Sequence, residues 1–93
     1  MINYDEIFDD TKDIVETYRG EYNDNITRDK IINHIRAYLR PLYEYGSIYD
    51  FLVICDETNN TPERIARNEL WVEIVVQEAD DVSATMIPIR TKL

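Results

Sequence analysis

Between positions 51 and 76 the chain reads Phe-Leu-Val-Ile-Cys, turns polar through Asp-Glu-Thr-Asn-Asn-Thr-Pro, and ends this stretch in Leu-Trp-Val-Glu-Ile-Val-Val. An apolar run bounded by turn-forming residues is the pattern of a buried strand. Two strands are therefore expected around one polar loop. The first, over residues 48–55, is apolar on both faces and is expected at the centre of a sheet. The second, over 69–77, alternates. Leu70, Val72, Ile74 and Val76 share one face, and Trp71, Glu73, Val75 and Gln77 share the other. A turn over 78–81 leads to a third strand, about 82–90. Pro88 has no N–H for a ladder, so that strand belongs at an edge.

Helical spacing precedes this sheet. Ile7, Thr11, Ile14 and Tyr18, widened by Phe8 and Val15, predict a first helix over 4–19, with Gly20 as its stop. Asp5, Glu6, Asp9 and Asp10 favour its positive end. A second helix, capped by Asn25 or Thr27, carries Ile31, Ile32, Ile35, Tyr38, Leu39 and Leu42 on one face. Arg28, Lys30, Arg36 and Arg40 read as lying on its other faces, with Arg36 and Arg40 sharing a surface at i, i+4 spacing. Pro41 predicts a kink or an end near 40–45. Thr61 and Pro62 start a short helix over 62–67, with Ile65 turned inward. The expected fold class is α+β: a small mixed β-sheet of three or more strands, with two main helices packed on one face.

Ninety-three residues with an apolar fraction of 44% suffice for one core, so residues 1–93 are read as a single domain. The start is acidic and no apolar run is long enough to span a bilayer. Neither a secretory signal nor a membrane contact is expected, and the chain is read as made in a cytoplasm. A formal net charge of −9 repels phosphate backbones and argues against nucleic-acid binding. Charge is uneven along the chain. Residues 1–24 carry net −6, residues 25–46 net +2, and residues 47–93 net −5.

No residue constellation supports catalysis. Asp56 follows an apolar strand, where catalytic carboxylates are often found. A phosphatase-type Asp-x-Asp is broken by Thr58. A calcium loop from Asp56 would need Gly at position 61 and Glu at 67, where Thr61 and Arg67 stand. A metal at Asp56, Glu57 and Glu63 competes with a capped, hydrogen-bonded turn formed by Asp56, Thr58, Asn59, Asn60, Thr61 and Pro62, and the turn is favoured. His34 has no evident partner and reads as a solvated surface residue. Cys55 reads as a small core residue, and neighbouring Asp56 and Glu57 oppose a reactive thiolate. No cofactor is expected. Tyr38, Tyr43, Tyr45 and Tyr49, with Trp71, gather near the helix-to-strand junction. Core packing explains some of them and an interaction surface the rest.

Several segments match one family in order and kind. Asn25-Ile26-Thr27-Arg28 precedes a helix that contains Tyr38-Leu39. Ile48-Tyr49-Asp50-Phe51 enters a strand. Val53-Ile54-Cys55-Asp56-Glu57-Thr58-Asn59-Asn60-Thr61-Pro62 follows, then Arg67-Asn68-Glu69-Leu70. Over roughly residues 20–90 the chain resembles the C-terminal domain of tail sheath proteins from contractile-tailed bacteriophages and related injection machines. Two features depart from that family. Gln77-Glu78-Ala79-Asp80-Asp81 stands where a proline- and alanine-containing segment is usual, and sheath subunits are several times longer. The chain is read as an excised piece or a small standalone relative, with an acidic helix over 1–20 before the sheath-like residues 21–90.

The resemblance implies a structural protein of the virion tail, assembled in the host cytoplasm, and not an enzyme. Its implied partners are other sheath-type subunits or itself, and the inner tail tube. Subunits of this family link by β-strand exchange through extended arms. The arm implied here is residues 86–93, with Met86, Ile87, Pro88, Ile89 and Arg90 at the interface. Arg36 and Arg40 are the implied tube-facing pair. A small acidic protein-binding module that reuses the fold is the alternative.

Overall fold

The computed structural model describes residues 2–78 and 83–93. Its elements, in chain order, are helices α1 (Tyr4–Glu16) and α2 (Asn25–Glu44), strand β1 (Asp50–Ile54), helix α3 (Pro62–Ala66), and strands β2 (Glu69–Gln77) and β3 (Thr85–Lys92). The strands form one sheet in the order β1-β2-β3. Both pairings are antiparallel, so the sheet expected as mixed has no parallel pair among the described residues. The α+β class and the packing of α1 and α2 follow the expectation: α2 lies along β1, and α1 lies along β3.

Strict alternation makes β2 the centre. Leu70, Val72, Ile74 and Val76 are fully buried, and the intervening side chains are half-buried. Val53 and Ile87 flank Ile74 in register, and Ile89 flanks Val72. Helix α1 adds Ile7 and Val15, and α2 adds Ile31, Ile35 and Leu39. Each such side chain contributes roughly 1.5–3 kcal/mol by leaving water.

The expected central position of β1 is corrected. It pairs with β2 alone and is an edge strand. Phe51 and Val53 turn toward the helices, whereas Leu52 is 52% exposed on the opposite face. A five-residue apolar run gave the composition of a buried strand, but the pleat sends alternate residues outward. The edge position expected for β3 from Pro88 is what the sheet has.

Smaller differences have local causes. Helix α2 is capped by Asp24, whose carboxylate accepts the Thr27 N–H at 2.9 Å; Asn25 is already helical. Pro41 sits inside α2, which ends at Glu44, within the expected window. Helix α1 ends at Glu16, and turns lead to Gly20, whose φ of +95° favours glycine. Thr61 caps α3 as expected, accepting the Arg64 N–H at 3.4 Å. Strand β3 begins at Thr85; of the expected turn and strand start, residues 79–82 lie outside the described residues.

The sheet order makes a prediction about two apolar residues of similar size. Ile74→Ala should cost about 2–5 kcal/mol in urea unfolding, because it opens a cavity in the buried face. Leu52→Ala should cost under about 1 kcal/mol, since half of that side chain already meets water.

Candidate functional site

The loop after β1 is held by its own side chains. The Asp56 carboxylate accepts from the Thr58 N–H at 2.9 Å and from the Thr58 hydroxyl. These bonds, the Thr58 hydroxyl first, hold the Asp56 carboxyl below its ordinary pKa. Asn59 accepts the Asp56 N–H at 2.9 Å and donates to the Ile54 carbonyl at 2.9 Å and the Glu73 carboxylate at 2.8 Å. The loop from Asp56 to Asn60 is thus bonded largely through its own side chains.

Asn60 reaches further. It is 2% exposed. Its amide donates to the Trp71 carbonyl at 2.9 Å, and its oxygen accepts the Trp71 N–H at 3.0 Å. A side-chain amide thus pairs with a backbone peptide as another strand would. The same oxygen accepts from Asn23 at 3.0 Å, and Asn23 also donates to the Glu69 carbonyl at 2.9 Å.

Arg28 completes this network. Its guanidinium donates to the Asn23 side-chain oxygen at 2.7 Å, to the Asn23 carbonyl at 3.2 Å, and to the Asn25 side chain. Arg28 is 5% exposed, which corrects its expected place on a solvated face. The signal was present: position 28 shares the helical stripe of Ile31, Ile35 and Leu39.

A second cluster lies on the other face of the sheet. The Arg64 guanidinium sits 3.4 Å from the centroid of the Trp71 ring, and that of Arg90 sits 3.7 Å from it. Arg90 also donates to Glu73 at 2.6 Å, and Arg64 to the Asn59 carbonyl at 2.8 Å. Sequence reading missed this stack, because Arg64, Trp71 and Arg90 come from three different elements.

The remaining candidates are dispersed. Met86 is 54% exposed, Pro88 is exposed and Arg90 half-buried, whereas Ile87 and Ile89 are buried in this chain's own core. Arg36 and Arg40 are exposed on α2, with the Arg36 guanidinium 5.7 Å from the Phe51 ring centroid. His34 is exposed as expected, yet its Nδ1 lies 3.1 Å from the Tyr18 hydroxyl. Tyr38 donates to Asp10 at 2.6 Å, and burial followed by that carboxylate raises its pKa. Among the described residues no three His, Cys, Asp or Glu side chains converge on a metal-sized point.

Asn60→Ala should destabilise the chain by about 2–4 kcal/mol in urea unfolding, because it strands the Trp71 peptide groups and Asn23. A second expectation concerns Cys55, which is buried and has its thiol pushed up to about 12, mainly by loss of solvation. Folding favours the neutral thiol. Its contribution is complete below the unfolded thiol value of about 8.5 and is lost as pH rises from there toward 12. Native protein at pH 8 should therefore react with a disulfide reagent only at its opening rate, and Cys55→Ala should flatten the alkaline loss of stability.

Residues 3–90 match the model of the family described as the phage tail sheath C-terminal domain. The tail sheath protein of Vibrio phage KVP40 is 43% identical over 63 residues, 68% of this chain and 9% of that protein. The tail sheath protein of Salmonella phage ViI is 47% identical over 57 residues, 61% of this chain and 9% of that protein. That of Enterobacteria phage T4 is 36% identical over 63 residues, 68% of this chain and 10% of that protein. No solved structure matches the chain. The chain spans about a tenth of the length of these curated relatives. A match that takes in nearly every described element, from α1 to β3, assigns the chain to the phage tail sheath C-terminal domain family.

Proposed function

We propose that this chain is a structural, non-catalytic assembly module of a contractile phage tail, joining neighbouring sheath-type subunits by β-strand exchange. Its place is the virion tail, with assembly in the host cytoplasm. The observation that carries the reading is the position of β3. It lies at an edge of the described sheet and holds Ile87 and Ile89 inward at 5% and 0% exposure. The sequence relationship to sheath proteins supports the same role.

Burial of Ile87 and Ile89 constrains the form of exchange. An arm made of Met86, Ile87, Pro88, Ile89 and Arg90 cannot leave this sheet without opening the core. Exchange is then a swap, in which β3 of one copy fills the equivalent place in its neighbour and recovers the same contacts. Arg36 and Arg40 form no ion pair among the described residues, and they supply a polar contact to a further component, in a sheath the inner tube. The chain's charge of −9 disfavours nucleic acid as a partner.

Deleting the residues after Met86 would remove two core side chains and so tests folding, not assembly. A cross-strand disulfide separates the two. Val75 and Met86 are register partners on the open face. In Val75→Cys/Met86→Cys, oxidation of the monomer should pin β3 to its own sheet. Mass measured by light scattering over a concentration series should then stay monomeric when oxidised and grow when reduced. Oxidising the assembled material should cross-link copies. Equal mass in both states, or only intramolecular disulfides in assembled material, would overturn strand exchange.

A further inference from the structure

The buried side of β3 does not fix its own alignment. Ile87 and Ile89 are its two buried residues, opposite Ile74 and Val72. A slip by two residues keeps every side chain on its own face. It moves Ile87 to the place of Ile89, or Ile89 to that of Ile87, and an isoleucine still fills the space. Within one copy the covalent link from β2 limits such slips. A strand arriving from another copy has no such tether, so its register needs another determinant.

The open side of β3 supplies one. Arg90 is the register partner of Trp71. Its guanidinium stacks on that ring, pairs with Glu73 at 2.6 Å and reaches the Val72 carbonyl at 3.4 Å. The residues that receive it are held from elsewhere. Arg64 lies on the Trp71 ring, and the Trp71 Nε1–H donates to Glu69 at 3.2 Å. The Asn59 amide donates to Glu73 at 2.8 Å, and the Asn59 carbonyl accepts from Arg64 at 2.8 Å. Asn59, Arg64, Glu69, Trp71 and Glu73 all precede β3, so this seat belongs to the part of the chain that β3 leaves behind. Without β3 the seat lacks a counter-charge for Glu73, whose side chain is only 15% exposed beside Arg90. A two-residue slip brings Pro88 or Lys92 to Trp71. Proline carries no charge, and an ammonium lacks the planar fork that stacks and pairs at once.

We infer that Trp71 and Glu73, braced by Arg64 and Asn59, form a reader for one arginine, and that Arg90 sets the register and the selectivity of strand exchange at β3. This rests on the exchange reading above and deepens it by naming the kind of strand that fits. Such a strand carries apolar side chains at two alternate positions, followed directly by arginine, as in Ile87-Pro88-Ile89-Arg90. A second copy of this chain meets that description. A segment with the same apolar pattern and a neutral or acidic residue in the fourth place leaves the half-buried Glu73 carboxylate without a counter-charge, and is rejected.

Charge reversal in the whole chain tests this. Glu73→Arg alone and Arg90→Glu alone each put like charges at the seat. Within either variant the mismatch is present before and after exchange, so it drives nothing. In an equal mixture, exchange between unlike copies removes the mismatch at both seats. By light scattering, the mixture should assemble at a concentration at least tenfold below that needed by either variant alone. If the parent assembles and the mixture gains nothing over its components, Arg90 is not the key although exchange stands. If neither the parent nor the mixture assembles, exchange fails and the inference falls with it. The register has its own readout, which needs no charge reversal and holds even where Glu73→Arg does not fold. Mixed, assembled and oxidised, a Val75→Cys chain and a Met86→Cys chain should cross-link as register partners. Adding Arg90→Leu to the Met86→Cys chain should lower the yield per assembled chain at least fivefold, and Arg90→Lys should lower it too. An undiminished yield with Arg90→Leu would sink the assignment.

Discussion

A buried guanidinium bonded to neutral partners holds this domain together. Arg28 reaches the Asn23 and Asn25 oxygens, and Asn23 passes the connection to Asn60 and Glu69. An isolated buried charge is costly; here the oxygen dipoles on its donors and the attraction of the Asp24 and Asp56 carboxylates offset it. That compensation fixes geometry. The start of α2, the loop before it, the loop after β1 and the entry to β2 must all be in place together. No buried side-chain polar atom among the described residues lacks a partner.

The same network explains how the three described strands keep a defined register. Asn60 pairs with both backbone groups of Trp71, so the loop after β1 is stitched to β2 through a side chain. Glu73 receives Asn59 from one side and Arg90 from the other, which links the loop to β3 across the sheet. The stack of Arg64, Trp71 and Arg90 covers this end of the open face. At the opposite end, Leu52 and Met86 are about half exposed.

How much of this was legible in the sequence depended on the range of the interaction. The period of two in β2 and the stripe of Ile31, Ile35 and Leu39 are local patterns, and both matched the fold. Thr61 and Pro62 announced α3 for the same reason. The place of β1 was misread, because an apolar run reports hydrophobicity without saying which neighbours exist; Leu52 could be assigned to solvent only once α2 and β2 were in place. Asn60 was read as part of a turn, which is true of its backbone. Its bonds to Trp71 and Asn23 span 11 and 37 residues, beyond what spacing encodes. Arg28 was legible in principle but was assigned by charge, and charge predicts exposure only when no dipoles are waiting.

The two edges also differ in what they ask of the rest of the molecule. Releasing β3 uncovers Ile87 and Ile89, at roughly 1.5–3 kcal/mol each, besides its ladder with β2. A swap recovers that cost only after an identical site becomes free in a neighbour, so it is slow and rises with concentration. Strand β1 is less committed to the core: Leu52 already meets water, while the Asp50 carboxylate and the Asn59 amide bond its Phe51 N–H and its Ile54 carbonyl. The core depends on β3, so any exchange there starts from that cost.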